Sequence, residues 1–142
     1  MSTFDGFFVD VIEDTENALS DYTANNTFTS VVVGAVQIDK LDYPCVHIIP
    51  DTCTYQTRQE YEFIITVNYY FKRDIRDYSF VKNLKTVEPS IDDIIKEYGD
   101  NDEVTEFKVN NVEYMTGEIG QIMLDIYRIT FQVSKLFDYA KI

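Results

Sequence analysis

EYEFIITVNYYFK, residues Glu60–Lys72, places Tyr61, Phe63, Ile65, Val67, Tyr69 and Phe71 at every second position. Successive side chains of an extended chain point to opposite faces, so these six line one side of a strand. The intervening Glu62, Ile64, Thr66, Asn68 and Tyr70 are half polar. That second face is expected to be partly solvated or to lie under a neighbour.

Upstream, SVVVGAVQI at 30–38 is short and β-branched and reads as a buried strand. A turn at 39–44 leads to CVHII at 45–49, a second strand that Pro50-Asp51 is expected to stop. Residues 51–59 are polar, with Thr52, Thr54, Tyr55, Gln56, Thr57 and Arg58, and read as an exposed loop. Further back, Phe4, Phe7, Phe8, Val11, Ile12 and Leu19 recur at spacings near three and four, which predicts a helix over 3–22. Asn25-Asn26-Thr27 should end it, because Asn tolerates the left-handed conformation of a helix stop.

Downstream, 73–87 is charged and mixed and is assigned to no element. Pro89-Ser90 opens a helix through Tyr98, with Ile91, Ile94, Ile95 and Tyr98 as its apolar stripe. Asp92 and Asp93 would then sit in its first turn, at the positive end of the helix dipole, and Gly99 at its C-terminal cap. Weak alternation predicts a strand over 104–115, Gly117 to Gly120 a turn, and QIMLDIYRITFQV at 121–133 a long closing strand. Residues 134–142 form a short tail that keeps Leu136, Phe137, Tyr139 and Ile142 apolar. The expected architecture is one α+β domain over 1–142, a mainly antiparallel sheet with two helices on one face. Its core should join Phe63, Ile65 and Val67 to Phe8, Ile12, Ile94 and Ile95.

The 142 residues fit one domain, and no apolar run approaches the ~18–20 residues of a membrane span. The start, Met1-Ser2-Thr3-Phe4-Asp5, lacks the basic flank of a secretion signal, so a soluble protein made in the cytoplasm is expected. Asp and Glu number 25 against 12 Lys and Arg, a formal charge of −13. Such a surface repels a phosphate backbone, which argues against a nucleic-acid reader. The acidity serves solubility, in a salt-rich host among others, or makes a surface that DNA passes without sticking.

Nothing in the chain reads as an active site. His47, the single histidine, lies in a strand with no nucleophile signature around it. Cys45, His47 and Cys53 supply three ligands where a structural zinc site wants four in close pairs. Asp100-Asn101-Asp102-Glu103 departs from a calcium loop at Val104. Asp92 with Asp93, and Glu13 with Asp14, are adjacent on helices and point apart, so neither is an acid–base dyad. Gly117 and Gly120 have no basic partner for a phosphate loop, and Lys72-Arg73 with Arg76 is too little for a DNA footprint. The expectation is no enzyme, no metal, no cofactor and two reduced thiols.

The order helix, short β-section, long alternating strand, helix, closing pair of strands resembles the tail-terminator proteins of long-tailed viruses. The similarity covers nearly the whole chain and is strongest in YPCVHIIPD, EYEFIITVNYYFK, FKVNNVEYM and QIMLDIYRITFQV. The resemblance implies a virion structural protein of the tail or neck, assembled in the host cytoplasm. It would form a homohexameric ring at the head-proximal end of the tail tube. The implied partners are the tail tube protein and a head-closure or connector protein, with DNA passing unread through the lumen and no membrane. Subunit contacts are expected at the 51–59 loop, through Tyr55, Gln56 and Arg58, and at the tail, through Leu136, Phe137, Tyr139 and Ile142. The alternatives are another head–tail joining component, or a non-viral domain that binds proteins through a sheet edge.

Overall fold

The computed structural model describes residues 5–34, 42–57, 60–73 and 79–136, with side chains at 9–34, 42–54, 60–73 and 81–135. Along the chain lie α1 (Asp5–Ala24), β1 (Ser30–Val33), β2 (Cys45–Thr57), β3 (Glu60–Lys72), α2 (Ser79–Asp100), β4 (Val104–Ile119) and β5 (Ile122–Leu136). The five strands form one sheet in the order β1-β2-β3-β5-β4. β1 runs parallel to β2 and the other three pairs are antiparallel. The fold is α+β, as the element pattern predicts.

β3 spans the residues its alternation predicts, and its odd-numbered face is the floor of the core. Phe63, Ile65, Val67, Tyr69 and Phe71 pack with Val46 and Ile48 of β2 and Ile129, Phe131 and Val133 of β5. Val11, Ile12 and Leu19 of α1 and Val87, Ile94 and Tyr98 of α2 belong to the same cluster, so both helices cover this one face. Ile95 is partly buried against it, whereas the Phe8 side chain lies outside the described residues. Two buried tyrosines find partners inside the core. Tyr98 OH meets Thr15 Oγ1 at 2.6 Å, and Tyr69 OH meets Ser90 Oγ at 2.7 Å. Burial raises both phenols above their ordinary pKa, which keeps them neutral.

α1 ends as its asparagines suggest. Asn26 adopts φ 63°, and Asn25 Oδ1 accepts the Thr27 amide at 3.0 Å. Five expectations are corrected. β2 does not stop at Pro50 but runs to Thr57, paired with β3 through a bulge between Pro50 and Thr52. The pairing of β1 with β2 is described as far as Ile48, so among the described residues a proline beyond that point has no outer neighbour to deprive of a hydrogen bond. The polar 51–57 segment is therefore strand and not loop. α2 begins at Ser79, ten residues before Pro89, which lies inside it on the exposed side. Water can serve the carbonyl that Pro89 leaves unbonded. Asp92 and Asp93 consequently sit in mid-helix, and Tyr22 OH donates to Asp93 at 2.5 Å.

Gly99 is no left-handed cap. It is the penultimate residue of α2, and a Cβ there would rest 3.6 Å from the Phe107 ring. Gly117 lies within β4, and the turn contracts to Gly120-Gln121, with φ +66° at Gly120. Gly at the first position of a two-residue hairpin loop suits the twist of the strands it joins. Finally, β5 continues to Leu136, so Ser134 and Lys135, expected in a tail, are buried strand residues at 5% and 1% exposure.

Candidate interaction surfaces

The two faces of the sheet differ in charge. α1 carries Asp5, Asp10, Glu13, Asp14, Glu16 and Asp21 and no basic residue. α2 carries five acids against three lysines, so the helix layer holds eight of the thirteen net negative charges. Between the helices a cleft of about 210 Å³ is lined by Asn17, Asp21, Asp93, Glu97 and Asp100, with Lys96 beside them. Its lining is polar and open to water. Among the described residues no group of three His, Cys, Asp or Glu side chains is placed to hold a metal ion.

The helix-free face carries the even-numbered side chains of β3. Register aligns His47, Asn68, Arg128 and Glu113 in one row across β2, β3, β5 and β4. Asn68, 2% exposed, accepts from Arg128 Nε at 3.1 Å and donates to Tyr70 OH at 3.3 Å. His47 Nε2 is hydrogen-bonded to the Gly34 carbonyl, while its buried Nδ1 has no partner. Thr66 donates to Asp51, Gln132 donates to Glu62 at 2.6 Å, and Asn110 donates to Gln132 at 3.1 Å. Such a network of amides and hydroxyls fixes side chains across four strands. At the other end of the face Cys45, Tyr70, Leu124 and Ile126 form a second apolar cluster.

The arrangement does not activate a nucleophile. Cys45 and His47 share the helix-free face, yet the Cys45 thiol is pushed up to about 11 by burial alone, with no imidazole contribution. Cys53 stands opposite Phe63 on the helix side, so the two sulfurs occupy opposite faces of one strand. They cannot ligate one metal together with His47. At pH 8 a pKa of about 11 leaves roughly one Cys45 in a thousand as thiolate. Iodoacetamide in native buffer is expected to label the exposed Cys53 and spare Cys45, giving one adduct by intact mass. Rapid labelling of Cys45 would show that its burial is wrong.

An aromatic chain crosses the helix side of the sheet. Tyr22 stacks on Phe28 at 5.5 Å, Phe28 meets Phe71 at 6.4 Å, Phe71 meets Tyr127 at 5.7 Å, and Tyr127 meets Tyr114 at 5.3 Å. It ends at the outer strand, where Tyr114 is 40% exposed and donates to the buried Asp125 at 2.9 Å. Val112 of β4 and Met123 of β5, both on this face by register, are 60% and 46% exposed.

The contact residues expected from sequence fall at the margins. Tyr55 and Gln56 belong to β2 by backbone, with side chains outside the described residues, and Leu136 closes β5 in the same condition. Arg58, Phe137, Tyr139 and Ile142 lie outside the described residues altogether. What sequence reading missed is the exposed run Asn110 to Tyr114 on β4. Its signal was present as weak alternation broken by an Asn pair. Among the described residues no helix is long and apolar enough to cross a membrane. No protein-family model and no curated protein matches the chain.

Proposed function

We propose that the chain is a structural virion protein, a tail terminator that forms a ring on the head-proximal end of a tail tube. The ring stops tube growth, offers a docking face to a head-closure or connector protein, and lets DNA pass. The observation that carries this reading is the element order across the whole chain, which resembles that family from the first helix to the closing hairpin. The charge layout supports it. A helix layer with eight of the net charges is a wall that DNA slides past without lodging. The sheet also has two different free margins, the outer edge of β4 and that of β2 beyond Ile48, among the described residues. Unlike margins are what head-to-tail contacts between copies need. The 51–57 segment serves the ring as strand edge and not as a projecting loop.

Electron microscopy of particles tests the reading. A ring of six copies at the head end of the tube is expected, and loss of the gene should leave overlong tubes without heads. Tails of normal length in its absence would remove length termination. The sheet-edge binding domain or another neck component would then lead.

A further inference from the structure

β4 is the outermost strand, and its sequence from Thr105 to Thr116, TEFKVNNVEYMT, is a chemical palindrome. About its centre Asn110 mirrors Asn111, Val109 mirrors Val112, Lys108 mirrors Glu113, Phe107 mirrors Tyr114, and Thr105 mirrors Thr116. Only Glu106 and Met115 break the match.

In a regular strand such a palindrome would be useless. An even-length repeat puts its two central residues on opposite faces, whereas a twofold axis normal to a sheet needs mirrored residues on the same face. β4 is not regular at that point. The register against β5 steps from Val109↔Phe131 to Asn111↔Thr130, leaving Asn110 as the extra residue of a bulge. Asn110 bonds Gln132, and Asn111 stands opposite Thr130, both on the helix-free face. The bulge thus folds the two asparagines into one step of the ladder. On either side the faces then mirror: Val109 and Val112 on the helix side, Lys108 and Glu113 on the helix-free side, Phe107 and Tyr114 on the helix side again.

We infer that a second copy of this chain pairs with it along β4, antiparallel, about a twofold axis at Asn110-Asn111. Sequence palindrome, bulge position and face pattern each centre on the same step. The pairing sets Lys108 of each copy opposite Glu113 of the other, twice. Lys108 is exposed and, among the described residues, makes no ion pair within its own chain. It sets the exposed Val112 against the partner's Val109 and Tyr114 against the partner's Phe107. Two five-stranded sheets become one of ten strands, and the long open edge of β4 disappears. All four helices stay on one side, so the acidic layers lie side by side and not face to face.

The inference is distinct from the ring reading, whose head-to-tail contacts use the same outer edge of β4. A ring with one end for the tube and one for the head has unlike ends, and a twofold contact has like ones. Where both hold, the β4 pair is the form of the free protein before it joins the tube.

Two charge variants test it in solution. The unaltered protein is expected to sediment at twice 16.6 kDa. Lys108→Glu sets Glu against Glu113, and Glu113→Lys sets Lys against Lys108. Each alone is expected to weaken pairing by about tenfold or more, toward the single mass. Mixed in equal amounts, the two restore both opposite-charge pairs and should form one-to-one dimers. Amide exchange along 105–116 should be slow in the dimer and fast in either variant alone. A protein that stays single at high concentration overturns the proposal. So does a dimer that survives Lys108→Glu, or a mixture of two folded variants that does not pair.

Discussion

Replacing Ile65 with aspartate is expected to abolish the folded domain. Ile65 is fully buried at the middle of β3, between Pro50 of β2 and Phe131 of β5, under the helices. A carboxylate there meets no water and no cation among its cross-strand neighbours. Burying it unpaired costs several kcal/mol, and the lost isoleucine packing adds about 2–5 more. That matches the ~5–15 kcal/mol by which a domain of this size is stable. Ile65→Val, which only trims a methyl group, should cost about 0.5–1.5 kcal/mol and melt cooperatively. Thermal melting followed by circular dichroism reads both. A soluble Ile65→Asp protein with a cooperative transition would contradict the sheet register.

The second large effect lies at Lys135. Its side chain is 1% exposed, and its Nζ reaches Asp10 at 3.2 Å and Glu103 at 3.4 Å, whose side chains are 54% and 44% exposed. The cation is buried while its carboxylates reach water, so the two ends of the interaction are not equivalent. Changing Asp10→Asn and Glu103→Gln together should destabilise by about 2–4 kcal/mol, because a buried charge loses two carboxylate partners. Adding Lys135→Met to that pair should recover most of the loss, since an unbranched apolar chain fills the same space without a charge to desolvate. Urea denaturation of the double and triple variants decides it. A triple variant no more stable than the double would mean that Lys135 is not held by these carboxylates.

Legibility in the sequence followed how locally each element is determined. β3 was fully readable, because strict alternation over thirteen residues has one structural solution. The start of α2 was not, since Pro89 reads as a first-turn residue. The stripe Leu84, Val87, Ile91, Ile94, Ile95 and Tyr98 runs through it unbroken, and that period is the signal that outweighs the proline. Pro50 misled for a related reason: its missing amide matters only where an outer strand exists, and among the described residues none pairs with β2 beyond Ile48. The even face of β3 could be read as half polar but not as buried. Thr66 and Asn68 are held by hydrogen bonds to Asp51 and Arg128 on neighbouring strands, and Tyr70 by Asn68 of its own strand. The surface was the least legible. Polarity at 51–59 suggested a loop because pairing with β3 leaves no mark on side-chain chemistry. The β4 palindrome means nothing until a bulge, invisible in sequence, brings its two asparagines to one face.

The strand order also fixes when this protein can be finished. β5 is the last of the five strands to be synthesised, yet it lies between β3 and β4 and pairs with both along nearly its whole length. Until it emerges, β3 has one bare flank, β4 has no partner among the strands, and the face that the helices must cover is missing Ile129, Phe131 and Val133. The nascent chain therefore waits, with α1 and α2 made but without a complete floor to dock on. Its closing step joins residues from 52 (Lys72 and Leu124) to 76 (Glu60 and Leu136) positions apart at the β3–β5 seam, a non-local pairing of the kind that slows folding.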